Sequence, residues 1–127
     1  MGIISRNDFM SDREYEPGIE VNWAANANTV GTRHVVGMLT IIPPGASNPA
    51  HKHVNAEALA YVMSGRARLV TGGEEYIVGP ETFAYSPPGE IHQWTNLSAT
   101  EPVMIVGIYG GINKIEDVQT IFAEKDA

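Results

Sequence analysis

Short apolar runs rich in Val, Ile, Tyr and Thr recur along the chain, separated by clusters of glycine and proline. Runs of that length with turn residues between them predict β-strands rather than helices. The stretch RHVVGMLTII (33–42) predicts a strand stopped by Pro43-Pro44-Gly45. ALAYVM (58–63) predicts a second, stopped by Ser64-Gly65. RARLV (66–70) and EYIV (75–78) flank Gly72-Gly73, a pair suited to the left-handed residues of a two-residue hairpin turn. TFAYS (82–86) runs into Pro87-Pro88-Gly89, and IHQWTN (91–96) and VMIVGIYG (103–110) complete the series. The last is apolar almost throughout, which predicts burial on both faces. One helix is predicted, over NKIEDVQTIFAEKDA (113–127), where Ile115, Val118, Ile121 and Phe122 fall at helical spacing. The first thirty residues are mixed in character and predict a loose arm with a strand around IEVNW (19–23).

With 127 residues, the chain suits one compact domain. About eight short strands with tight turns predict an all-β jelly roll or sandwich. Composition narrows the chemistry. The chain has no cysteine, so a disulfide framework, a zinc–thiolate site and a cysteine nucleophile are all excluded. A formal net charge of −7 argues against nucleic acid as a partner. No apolar run is long enough to span a bilayer, so no membrane is expected. The opening MGIISRNDFM lacks the basic-then-apolar pattern of a secretory signal, which makes a cytoplasmic location the expectation. Neither a Gly-x-Ser-x-Gly elbow nor a phosphate-cradling glycine loop occurs.

The candidate chemistry lies in the histidines. His51 and His53 are two residues apart, which puts them on one face of a strand but on nearly opposite sides of a helix. Prolines at 43, 44 and 49 argue against a helix there. The two imidazoles are therefore expected to converge, with His92 from a second strand joining them. The competing reading is a set of polar strand ends wetted by solvent.

At these residues the sequence resembles the cupin superfamily. In GASNPAHKH, Gly45 precedes the His-x-His pair as in the first cupin motif. In PPGEIHQWTN, Pro87-x-Gly89 is followed by His92 and then Asn96, as in the second. The resemblance covers about residues 33–110 of a small single-domain cupin spanning 1–127. It implies a double-stranded β-helix, or jelly-roll barrel, here with the N-terminal arm and a short C-terminal helix. It also implies one divalent metal ion in the lumen, held by His51, His53 and His92, and a homodimer. Two positions depart from the pattern. Glu81 stands where the second motif opens with glycine, so that turn is expected to be reshaped with the help of Gly79-Pro80. The glutamate of the first motif falls on Glu57 when counted from His53, but on Ala58 when counted back from Gly65. Under the second count Ala58, Ala60 and Val62 line the lumen, and Glu57 shares the other face with Leu59, Tyr61 and Met63. Glu57 is thus a ligand, the candidate catalytic base, or a residue outside the lumen.

Trp94, Tyr85 and Met38 are candidate substrate-binding residues, with core packing as the competing role for Trp94. His34 is expected as a strand-end residue, Glu90 as a solvated turn residue, and Arg66 and Arg68 as a solvated face. Three neutral imidazoles with an open position favour Zn²⁺ as a Lewis acid. An added carboxylate would move the site toward Fe²⁺, Mn²⁺ or Ni²⁺. The stretch YVMSGRARL and the missing glutamate resemble the cupin-type cyclases of aromatic polyketide pathways. The expected function is that of a metal-dependent enzyme acting on a small carbonyl, enol or phenolic substrate, cyclase- or lyase-like. An iron-dependent dioxygenase or decarboxylase and a non-catalytic small-molecule-binding protein are the alternatives.

Overall fold

A computed structural model describes residues 2–123. Eleven strands are present among them: β1 (Met10–Asp12), β2 (Glu20–Ala25), β3 (Val35–Ile42), β4 (His51–His53), β5 (Glu57–Ser64), β6 (Ala67–Thr71), β7 (Glu74–Val78), β8 (Thr82–Ser86), β9 (His92–Asn96), β10 (Val103–Gly110) and β11 (Thr120–Phe122). They form two antiparallel sheets, of order β1-β2-β3-β10-β5-β8 and β11-β4-β9-β6-β7. This is the jelly-roll arrangement that the short strands and turns predicted. Gly72 and Gly73 both have positive φ, 58° and 80°, so the β6–β7 hairpin closes through the primed turn that only flexible residues enter easily.

The core lies between the sheets, and strand parity explains its membership. Val36, Met38 and Ile42 of β3, Val103, Ile105 and Tyr109 of β10, and Val62 of β5 face Ala67 and Leu69 of β6 and Trp94 of β9. Asn96 ties the sheets together at one end. Its side-chain amide donates to the carbonyls of Ile42 and Glu101, so a buried polar group is satisfied.

Two expectations require correction. Strand β10 is central in its sheet but is not buried on both faces. Its outward residues Met104 and Val106 are half-buried and Ile108 is exposed, because no second layer covers that side. The C-terminal helix does not form among the described residues. Residues Ile115–Asp117 make one 3₁₀ turn, and Thr120–Phe122 becomes β11, paired to β4. The open edge of β4 offers backbone partners, and the β-branched Val118, Thr120 and Ile121 accept an extended backbone more readily than a helical one. Residues 124–127 of the expected helix lie outside the described residues. The turn where Glu81 stands in place of the motif's glycine keeps a left-handed residue. Glu81 itself holds φ = 63°, the left-handed conformation that glycine would adopt without cost. The N-terminal arm is more ordered than expected: β2 covers the predicted IEVNW strand and β1 pairs with it. Among the described residues no helix is long and apolar enough to cross a membrane.

Candidate metal centre

His51 and His53 project from the same face of β4, and His51 stands opposite His92 across the β4–β9 pair. The ring centroids of His51 lie 4.4 Å from those of His92 and 4.9 Å from those of His53. All three side chains are buried, and one nitrogen from each lies within 4.8 Å of the other two, so the triad could hold a metal ion.

The opposite nitrogens are tied down. Nδ1 of His51 meets the Pro49 carbonyl at 2.8 Å, and Nδ1 of His92 meets the Glu90 carbonyl at 3.0 Å. A carbonyl only accepts, so both Nδ1 atoms carry hydrogen and both Nε2 atoms present lone pairs to the cavity. His53 Nδ1 pairs with the Thr120 hydroxyl of β11 at 3.0 Å, while its Nε2 is buried without a hydrogen-bond partner. A buried ring nitrogen without a partner, beside the lone pairs of two others, fits a cation site. Burial also keeps the rings neutral: it pushes His53 down to about 3 and His92 to about 4, with the neighbouring His51 adding to both, and it lowers His51 as well. Neutral imidazole is the ligating form.

The cavity above the triad has a free volume of about 60 Å³. On that measure a single water needs about 10–15 Å³, so an ion and a few waters fit. Met38, Ile42, Ile105 and Trp94 form apolar wall, and Ala58 and Ala60 leave room where larger side chains would fill it. Trp94 is also part of the hydrophobic core, so its two expected roles coincide.

The structure separates the other candidates from this site. Glu57 is exposed on the outer face of β5, where Tyr85 donates a hydrogen bond of 3.0 Å to it. As candidate base Glu57 is therefore displaced, and Tyr85 as candidate substrate contact goes with it. Strand parity is the reason: β5 pairs without a register shift from Glu57 to Val62, so Ala58 and Ala60 point inward and Glu57 outward. His34 is exposed, as expected.

Sequence reasoning missed a different carboxylate. Glu16, from the arm, is buried in the cavity wall with Oε2 3.6 Å from His51 Nε2. Its Oε1 accepts from the Asn48 amide at 2.7 Å. Burial raises its carboxyl above the usual range, while Asn48 and Tyr109 favour the charged form. Residues 16–19 form a turn closed by a bond from Ile19 N–H to the Glu16 carbonyl, with Pro17 and then Gly18 at φ = 97° between them. A side chain at Gly18 would strike the Ser47 carbonyl. The turn was legible, since Glu16-Pro17-Gly18 before a strand is a type II turn signature, but nothing in it points the carboxylate inward. Asn48, Thr120 and Tyr109 carried no comparable signal.

Residues 38–109, more than half of the chain, match the Cupin domain family. The chain belongs to the cupin family. No protein of curated function matches this cupin. Its fold is similar to that of the polyketide cyclase RemF from Streptomyces resistomycificus, with TM-score 0.77 and 23% identity over 99% of this chain and 89% of that one. KdgF from Halomonas sp. gives 0.73 and 17%, covering 91% and 97%. A predicted oxalate decarboxylase from Thermotoga maritima gives 0.73 and 15%, covering 87% and 99%. At these identities the likeness concerns the fold.

Proposed function

We propose that this cupin is a metal-dependent enzyme acting on a small organic molecule through a carbonyl, enol or phenolic oxygen, in a cyclase- or lyase-like reaction. The observation that carries this reading is the set of three buried imidazoles whose Nδ1 atoms are hydrogen-bonded and of which one nitrogen each lies within 4.8 Å of the other two. A divalent ion held by His51, His53 and His92 would supply Lewis acidity toward the substrate oxygen, and three neutral nitrogens favour Zn²⁺. The chain's own residues do the rest. Trp94, Met38, Ile42 and Ile105 exclude water, which strengthens polar interactions inside. Ala58 and Ala60 leave space for the reacting part of the substrate. Thr40 and Ser86 line the same cavity and offer hydrogen bonds that orient it.

The test uses Co²⁺-loaded protein and acetylacetone, a 1,3-diketone probe. The visible spectrum is expected to change on titration with the probe, and the change is expected to be lost in His53→Ala. An unchanged wild-type spectrum contradicts the reading. A second reading, an iron-dependent dioxygenase or decarboxylase, is favoured by the buried Glu16 carboxylate beside the triad. Oxygen uptake by Fe²⁺-loaded protein, absent with Zn²⁺, would select it.

A further inference from the structure

The cavity contains an electrostatic conflict that the histidines alone do not resolve. His51 carries its hydrogen on Nδ1, pointed at the Pro49 carbonyl. Its Nε2 lone pair therefore faces the Glu16 Oε2 lone pairs at 3.6 Å. With Glu16 ionised, two acceptors face each other with no donor between them. The Nε2 atoms of His53 and His92 open toward the same region. Among the described residues that line the cavity, none is lysine or arginine. An ionised carboxylate that is only 6% exposed calls for a counter-charge, and the side chains that hydrogen-bond to it, Asn48 and Tyr109, are both neutral.

The distance is compatible with a shared ion, although among the described residues only the three histidines have ligand atoms all within 4.8 Å of one another. Two donors at about 2.1 Å from a shared Zn²⁺ stand roughly 3.0–3.5 Å apart. The separation of 3.6 Å between His51 Nε2 and Glu16 Oε2 is close to that edge. The arm is built to hold the carboxylate there. Asp12 Oδ1 accepts from the backbone N–H groups of Glu14 and Tyr15 at 2.9 Å each. Asp12 Oδ2 accepts from the Trp23 indole at 3.1 Å. The Tyr15 hydroxyl bonds to Thr120 Oγ1 at 2.8 Å and to the Tyr109 hydroxyl at 3.2 Å. Thr120 in turn meets His53, so the arm is joined to the triad through a continuous line of hydroxyls.

We propose that Glu16, delivered by the Glu16-Pro17-Gly18 turn of the N-terminal arm, is the fourth protein ligand of the metal centre. It would take the part left vacant at Ala58, from a different element of the fold. The centre would then hold three imidazoles and one carboxylate, a harder set that suits Fe²⁺ or Mn²⁺ better than three imidazoles alone. The inference rests on the metal-dependent reading above, and the experiment separates the two.

Metal-free wild type, Glu16→Gln, Glu16→Leu and His51→Ala are titrated with Co²⁺, following calorimetric affinity and the visible absorption bands, with the melting temperature of each metal-free protein as a check on folding. Both Glu16 variants are expected to bind at least about tenfold more weakly, the lower end of what even outer-shell changes cost. Their absorption bands are expected to shift, because a ligand has been exchanged. Metal-free Glu16→Gln is expected to melt no lower than wild type, since a buried charge has become a neutral amide. Affinity within twofold of wild type, or weaker binding with an unchanged spectrum, overturns the proposal. So does a lower melting temperature with unaltered affinity, which would make Glu16 and a doubly protonated His51 an ion pair. If wild type binds and His51→Ala does not, the metal reading stands whatever the Glu16 variants do. If wild type itself fails to bind, both fall.

Discussion

Single residues in this protein are set by what their polar atoms can reach. His53 is neutral because burial opposes its charge, and His92 likewise, with folded values of about 3 and 4. In the unfolded chain both would protonate near 6.5. The unfolded state therefore takes up protons first as pH falls, and metal-free protein should lose stability from about pH 6.5 downward, by as much as about 2 kcal/mol per histidine at pH 5. Glu16 acts in the opposite sense, since its raised carboxyl accepts a proton more readily when folded, but it is one group against three. Urea midpoints measured between pH 7.5 and 5 should fall steadily; a flat profile would contradict the buried neutral triad. Glu81 presents a backbone case. A non-glycine residue at φ = 63° costs roughly 1–2 kcal/mol, against about 0.5–1 kcal/mol of chain entropy that glycine would lose. Glu81→Gly should stabilise the protein by about 0.5–1 kcal/mol in urea unfolding, and a loss of stability would show that the Glu81 side chain holds the turn. The pairing of His51 and His53 was legible because residues two apart share a strand face, and the two cupin-like motifs joined His92 to them and set aside the reading of solvated strand ends. Glu57 misled because the sequence offered two registers, and only the regular course of β5 decides between them. The space beside the triad was legible through Ala58 and Ala60. The carboxylate that enters from the arm was not, because Glu16 lies far from the histidines in sequence and no local pattern points it inward.

At the scale of elements, most strands followed from alternating side chains and the turns between them. The primed β6–β7 hairpin followed from two glycines alone. The C-terminal segment did not follow, because its outcome is decided by a partner. Ile115, Val118, Ile121 and Phe122 are compatible with a helix until the edge of β4 is available, and then three residues of β11 pair with it, Thr120 opposite His53. That pairing gives β11 a role at the centre, since Thr120 is the residue that orients the His53 ring. Thr120→Val keeps the β-branched shape and removes the hydroxyl. It should lower metal affinity by about 10- to 100-fold while leaving the strand in place. Unchanged affinity, measured by competition with a chelator, would mean that His53 is oriented by packing against Tyr109, whose ring lies 4.6 Å away.

The whole molecule is a sandwich with one unusual outer face. On the sheet of β10, β5 and β8, the residues Leu59, Phe83, Tyr85 and Ile108 are exposed together, where a second layer would ordinarily cover them. We propose that this face meets its counterpart in a homodimer, as the cupin resemblance implied. Light scattering should then give twice the chain mass for wild type and a monomer for Phe83→Glu; a monomeric wild type would contradict it. The inner face carries the larger claim, that the two sheets are held apart to enclose a metal centre. The most direct measurement is the metal content of untagged protein, purified without added metal and then dialysed against a mixture of Zn²⁺, Fe²⁺ and Mn²⁺ under anaerobic conditions. The account predicts close to one metal ion per chain in wild type and background levels in His51→Ala. Wild type at background, folded and with its triad intact, would contradict it.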